Sequence, residues 1–248
     1  MGLDGARVVV TRSTEQSGKL STLLRDRGAE VIEVPTIAIE PPESWADVDD
    51  AVRRLFQGEF EWVAFTSTNA VQRFFSRLGC MPAEVFTKTK VAAVGSATRA
   101  LLNEHGVGVD LVPESFTAVA LARSLGKGSG SVLLPRAADV PEDMGRALQA
   151  AGWKPHEVAT YRTVPAERGA QADIVASGEF DIITFTSAST VRGFTGMFPD
   201  APAVVDGKIV ACIGPVTAEA CREAGLAVDV EAAEHTAQGL VDALAMAT

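Results

Sequence analysis

No stretch of this chain approaches the ~18 uncharged apolar residues that a bilayer-crossing helix needs, so a membrane-spanning protein is not expected. The opening MGLDGARVVVTR lacks the basic start and apolar core of an export signal, which predicts a cytoplasmic protein with no membrane partner. Cysteine is scarce: Cys80, Cys212 and Cys221 form neither an even disulfide framework nor a C-x-x-C metal pair, and they read as small buried hydrophobes kept as thiols. The histidines, His105, His156 and His235, are far apart in sequence, and no metal ion is expected. Positive charge is also short, 22 Lys and Arg against 32 Asp and Glu, and a net charge of −10 argues against a nucleic-acid partner. It also means that any anionic ligand must be attracted by local groups, because the overall field repels it. There is no G-x-S-x-G, H-E-x-x-H or Walker loop. GKGSG at 126–130 precedes a strand rather than linking a strand to a helix, so it reads as a turn.

What the sequence does contain is a 47% apolar chain of 248 residues, enough for two ordinary domains. Short β-branched runs alternate with segments of helical period, the pattern of βα units that build parallel sheets. RVVV at 7–10 predicts a strand, followed by a helix near 16–27, a stop at Gly28 and a second strand at 30–34. EWVAF at 61–65 and KVAAV at 90–94 predict further strands, each leading through a polar turn into a helix.

The pattern then repeats. FTSTNAV at 65–71 returns as FTSASTV at 185–191, within EFEWVAFTSTNAV and EFDIITFTSASTV at an offset of 120. SVLLPR at 131–136 matches VVVTR at 8–12, and Gly152 stands where Gly28 stood, both at an offset of 124. KIVACIGPVTAEACREAGLAVDV at 208–230 matches KVAAVGSATRALLNEHGVGVDLV at 90–112. Ser115-Phe116-Thr117 and Glu234-His235-Thr236 precede matching helices at an offset of 119. Blocks aligned in one order imply two homologous α/β halves. Periodicity does not say which modules share a sheet. The extended, proline-bounded VPTIAIEPP at 34–42 and TYRTVP at 160–165 are both able to carry the chain between domains.

Ligands of open parallel sheets sit beyond the C-terminal ends of the strands, where helix N-termini point. This chain places hydroxyls there repeatedly: Thr11, Thr66–Asn69, Ser96, Thr98, Ser115, Thr117, Thr186–Thr190, Thr217 and Thr236, with Arg12 and Arg136 closing the first unit of each half. Backbone amides at such ends hold carboxylates or phosphates, each terminus contributing ~0.3–1 kcal/mol. The same residues are also ordinary N-caps; only their duplication points to a ligand cleft between the halves. His235, beside one of these turns, is retained as a candidate contact. Tyr161, the chain's one tyrosine, aligns with Ile37. A phenol carries its proton at neutral pH and suits either proton donation or a buried amphipathic filling role.

Taken together, VVVTR, FTSTNAV, VAAVGSATRALL, LLPRA, VATYRTVP, DIITFTSASTVRGF, IGPVTAEACREAG and HTAQGLVDAL resemble the uroporphyrinogen-III synthase family in order and spacing over nearly the whole chain. The resemblance implies two similar parallel-sheet α/β domains of flavodoxin-like type joined by a two-stranded linker, at 1–36 plus 167–248 and at 37–166. It implies a monomer of heme and porphyrin biosynthesis, without metal or organic cofactor, whose small-molecule substrate is hydroxymethylbilane. That linear tetrapyrrole, with eight carboxylates on acetate and propionate arms, loses hydroxide, passes through a spiro intermediate and closes with ring D inverted. By motif, Tyr161 becomes the catalytic candidate, and Arg12, Thr66, Ser67, Thr98, Arg136, Thr186, Ser187, Ser189, Thr217 and His235 the substrate-binding candidates. Thr68-Asn69 stands where some relatives place an arginine. Two other readings stay open: a non-catalytic tetrapyrrole or carboxylated-metabolite sensor, and an acyl or phosphoryl transferase, which lacks the base that would activate a turn hydroxyl.

Overall fold

The computed structural model describes residues 3–140 and 143–247. Along the chain run β1 (Arg7–Val10), α1 (Thr14–Arg25), β2 (Glu30–Glu33), β3 (Ile37–Glu40), α2 (Ala46–Phe56), β4 (Trp62–Phe65), α3 (Thr68–Phe75) and α4 (Pro82–Val85). Next come β5 (Lys90–Ala93), α5 (Ser96–Glu104), α6 (Ala118–Ser124), β6 (Ser131–Ala137), α7 (Asp143–Ala150) and β7 (Lys154–Pro165). The remainder is α8 (Ala172–Ala176), β8 (Ile182–Phe185), α9 (Ala188–Met197), α10 (Ala201–Val204), β9 (Ile209–Cys212), α11 (Pro215–Glu223), β10 (Val230–Glu231) and α12 (Ala237–Ala247). The chain divides into two compact units, the first Met1–Ile39 with Val164–Thr248, the second Glu40–Thr163.

The first sheet has the order β10-β9-β8-β1-β2. Its strands pair in parallel throughout. Numbered by position in the chain, this is the 2-1-3-4-5 order of flavodoxin-like folds. A parallel sheet must be covered on both faces, and the period-2 side chains of β1 show how. Val8 and Val10 pack with Leu20 and Leu24 of α1 and Leu240 and Leu244 of α12, while Val9 packs with Val191 and Phe194 of α9 and Ala218 and Cys221 of α11.

The second sheet runs β3-β7-β6-β4-β5. Its logic is the same once the duplication is applied. β6 and β7 take the places of β1 and β2, and β4 and β5 those of β8 and β9. The Ala92–Leu111 bridge takes the place of the Val230–Ala211 pair. Registers coincide residue for residue. Val8 opposite Ile182 becomes Val132 opposite Trp62, and Ile183 opposite Val210 becomes Val63 opposite Val91. Even the clamp on the fourth strand is duplicated: the Asp229 carboxylate accepts from the Val210 N–H at 2.8 Å, and Asp110 accepts from Val91 at 2.8 Å. The second unit is therefore a circular permutation of the first, with modules three to five preceding modules one and two. This arrangement decides which modules share a sheet, the point that periodicity left open.

One face of the second sheet packs Ala64, Ala92, Val132 and Leu134 against Leu121 of α6 and Met144 and Leu148 of α7. The Phe65 ring makes edge contacts with Phe74, Phe75 and Phe86, at centroid distances of 5.9, 5.8 and 6.3 Å. Two local expectations are corrected. Helix α1 starts and stops two residues earlier than the predicted 16–27, because Asp26–Gly28 form the turn into β2. Cys80 is exposed, because it lies in the turn after α3 with no core beneath it, whereas Cys212 and Cys221 are buried as expected.

Gly28 and Gly152 close the same turn in the two units, with φ of +85° and +95°. A Cβ on Gly152 would also lie 2.5 Å from the Gly128 carbonyl oxygen. Gly152→Ala is therefore expected to lose roughly 1–3 kcal/mol, read as a lower urea midpoint.

Candidate functional site

In a 2-1-3-4-5 sheet, the crevice for ligands opens where the strand order reverses, between the first and third strands at their C-terminal ends. In the first unit that point lies between β1 and β8; in the second, between β6 and β4. The candidate residues gather at these two points and at the helix N-termini beside them.

In the second unit, β4 ends at Phe65, and Ser67 in extended geometry (φ −155°, ψ 155°) caps α3 by accepting the Ala70 N–H at 3.1 Å. The same Ser67 Oγ lies 3.1 Å from the Tyr161 hydroxyl. Tyr161 sits on β7 and is 7% exposed. Its backbone bonds to β6, with the Ala138 N–H donating to the Tyr161 carbonyl at 2.9 Å. Because β6 separates β7 from β4, the phenol reaches across the end of β6 to the mouth of the crevice. The structure thus brings Tyr161 and Ser67 together, two candidates 94 residues apart. Ser67 already accepts a backbone amide, so its remaining hydroxyl capacity is what meets the phenol.

A cavity of about 410 Å³ opens at the same crossover, with Thr66, the neighbour of Ser67, on its wall. Ala64, Thr66, Leu134, Pro135 and Arg136 line it from the strand ends; Thr117, Ala118, Val119, Val140, Asp143 and Met144 from the helix side. Arg136 is buried, and its guanidinium donates to the Glu157 carboxylate and the Val140 carbonyl. It forms part of the wall, with its fork engaged by the protein. Glu157 was not among the sequence candidates. The available signal was its place in the duplicated E-V-x-T, because the aligned Glu33 also binds a cation, Arg25, at 3.4 Å.

In the first unit, Thr186 follows β8, and Ser187 (φ −166°, ψ 158°) caps α9 in a reciprocal capping box with Thr190. Its hydroxyl is also 2.8 Å from that of Ser189. Arg12, half-buried beyond β1, has its pKa pulled below the ordinary value by desolvation; a guanidinium nevertheless stays charged. Thr98 and Thr217 occupy the third positions of α5 and α11, both 4% exposed. They stand one strand away from the crossover points, on the helices that follow β5 and β9.

The three histidines separate clearly. His105, though exposed, packs edge-on against Phe75, with centroids 5.2 Å apart, and half-buried His156 lies 5.7 Å from Phe60 and 3.3 Å from the Arg54 guanidinium, so both rings are engaged away from the crossover points. His235 covers the N-cap of α11: a Cβ on Gly214 would fall 2.7 Å from the imidazole Cδ2. The aligned Phe116 covers Gly95, the N-cap of α5, in the same way but with more room, 3.6 Å. Phe116 is 48% exposed, and sequence reasoning did not single it out as a contact; its alignment with His235 was the available signal. Among the described residues, no helix is long and apolar enough to cross a membrane.

Removing the Ser67 hydroxyl takes away both the α3 cap and the partner of Tyr161. Ser67→Ala is expected to cost about 1 kcal/mol in denaturant unfolding, within the range for N-cap loss.

The model of the family described as Uroporphyrinogen-III synthase HemD matches residues 18–242. A Synechococcus elongatus protein named uroporphyrinogen-III synthase is 32% identical over 253 residues, covering 98% of this chain and 95% of that one. The porphyrin biosynthesis protein HemD of Ruminiclostridium josui is 34% identical over 249 residues, and the chain spans 48% of that protein's length. Among solved structures, a Thermus thermophilus uroporphyrinogen III synthase mutant shares the fold at a TM-score of 0.71 and 21% identity, covering 98% of both chains. The Helicobacter pylori enzyme does so at 0.62 and 17%, covering 97% of this chain and 98% of that one. With its duplicated sheets, its capped turns at both crossover points and a family match over most of its length, the chain belongs to the uroporphyrinogen-III synthase family.

Proposed function

We propose that the chain cyclises linear hydroxymethylbilane to uroporphyrinogen III, as a monomer in the cytoplasm and without a cofactor. Its domains in this reading are 1–36 plus 167–248 and 37–166. The observation that carries it is the contact of 3.1 Å between the Tyr161 phenol and Ser67 at the C-terminal edge of the second sheet. That contact holds a protonated oxygen beside the crevice, where a leaving hydroxyl needs one. In the reaction, the bond between the terminal carbon and its hydroxyl breaks, the pyrrole nitrogen supplies the electron pair, and the hydroxyl departs as water with a proton from Tyr161. The far ring then attacks through its substituted carbon to give the spiro intermediate. The bond from that carbon to its original methylene breaks, the methylene re-bonds to the ring's unsubstituted carbon, and the proton which that carbon loses restores the phenol, so the macrocycle closes with the ring inverted and one water lost.

The eight carboxylate arms account for the rest of the design. Backbone N–H groups at the starts of α3, α5, α9 and α11 carry partial positive charge, and Thr66, Ser67, Thr98, Thr186, Ser187, Ser189 and Thr217 lie among them. Arg12 adds a partly desolvated cation, Arg136 braces the wall it belongs to, and His235 offers a ring over the start of α11. A chain of net charge −10 attracts a polyanion only through such local donors. Because the linear substrate also closes unaided to the uninverted isomer, the enzyme's main task is to hold one folded geometry while hydroxide leaves.

Supplied with enzymatically made hydroxymethylbilane, the purified chain is expected to give the type III isomer in an isomer-resolved chromatographic assay. Type I product alone, formed at the spontaneous rate, rejects the proposal. Tyr161→Phe removes only the hydroxyl and is expected to lower kcat by ~10²–10⁴-fold, the range for general-acid assistance, with product affinity nearly unchanged. Wild-type turnover in that variant would make the phenol structural.

A further inference from the structure

The two crossover points descend from one module yet differ in chemistry. In the first unit, the Thr11 hydroxyl donates to the Thr184 carbonyl at 2.7 Å, and the Thr184 hydroxyl donates to the Val9 carbonyl at 2.9 Å. Both threonines are fully buried, so this crossover is stitched closed by its own side chains. The duplication puts Pro135 where Thr11 stands and Ala64 where Thr184 stands. Neither has a hydroxyl with which to bond the neighbouring strand, and both line the cavity of about 410 Å³. The helix side diverges in the same sense. Val119 replaces Gln238, which bonds Asp242 at 3.0 Å, and Phe116 replaces His235.

The second-unit crossover is thus apolar where its twin is polar, and it is open to solvent. Val140 on its wall is 42% exposed, and Phe116, next to the lining residue Thr117, is 48% exposed. Leu134 and Met144 form the floor with Ala64. The volume falls in the range of small-molecule sites. The polar groups of its lining stand at its edge: the Thr66 and Thr117 turns, Arg136 tied to Glu157, and the exposed Asp143 at the start of α7, whose charge turns carboxylate arms toward the Thr66 and Thr117 side.

Resting on the reading of the chain as a tetrapyrrole cyclase, we propose that this cavity seats one pyrrole ring of the substrate, while the first-unit crossover takes carboxylate arms alone. The ring lies against Leu134, Met144 and Val119. Its acetate and propionate arms leave through the mouth toward the Thr66 and Thr117 turns. One ring is thereby held by its face as well as by its arms, which gives the flexible chain a fixed point from which to fold.

Two measurements test this independently. In the first, wild-type protein with labelled methyl groups is titrated with a monopyrrole carrying one acetate and one propionate arm. Shifts are expected at the Leu134, Met144, Val119 and Val140 methyls and not at Val10 or Leu20, the first-unit positions aligned with Leu134 and Met144. Shifts at Val10 or Leu20, or none at the cavity up to the solubility limit, overturn the proposal. In the second, Val119→Trp fills the cavity from the helix side. It is expected to reduce kcat/KM for type III formation by about 10-fold or more, the scale of losing one buried ring contact. An unchanged kcat/KM in a folded Val119→Trp protein overturns the cavity proposal while leaving the cyclase reading intact. If the wild type forms only type I, the cyclase reading fails, and the titration still decides whether the cavity takes a pyrrole.

Discussion

The structure depends on the parallel alignment of β1 with β8 and of β6 with β4. Parallel strands hydrogen-bonded in one register end together at one edge, and every βα turn that follows presents its helix N-terminus there. With Val8 opposite Ile182, Thr11 and Arg12 come beside Thr186 and Ser187. The matching alignment of Val132 with Trp62 brings Arg136 beside Thr66 and Ser67. A slip of one residue would turn Val9 and Leu134 onto the opposite faces and break the cores that hold α9, α11, α6 and α7. Register, core and candidate site are one constraint.

Each unit uses that constraint differently. In the first, side-chain hydroxyls are spent internally: Thr11 and Thr184 bond strand carbonyls, and Thr36 bonds the carbonyls of Thr11 and Thr190 at 3.2 and 2.9 Å. The turn at 186–189 and the backbone amides at the starts of α9 and α11 lie beyond these bonded threonines. In the second, Pro135 and Ala64 leave space instead of hydrogen bonds, and the long β7 carries Tyr161 to Ser67. Duplication supplied two equivalent frames, and small substitutions at the crossover gave one of them a cavity and a phenol.

The catalytic demand fits such a division. A reaction whose wrong outcome is spontaneous requires geometric control more than strong chemical activation. In the proposed reading, many weak donors spread over several turns grip a flexible polyanion, while a single phenol serves the departing hydroxyl. The acidic surface is compatible with this because helix N-termini and capped turns act over short distances.

Much of this was written in the chain itself. The offsets of 124, 120 and 119 between repeated blocks gave the two halves, and strand-to-cap strings such as FTSTNAV located the turns, because a βα unit needs local signals to start and stop. The family was legible in the same strings. What the chain did not disclose were facts that depend on residues far apart meeting in space. Sheet order was one, since a permuted module reads the same in sequence as an unpermuted one. The contact of Tyr161 with Ser67 was another, because it requires β7 to lie one strand from β4. The engagement of Arg136 by Glu157, and the cavity left by Pro135 and Ala64, were equally hidden. Sequence determines local propensity and the order of modules; only strand pairing, set by burial on both faces of each sheet, decided which of those modules became neighbours.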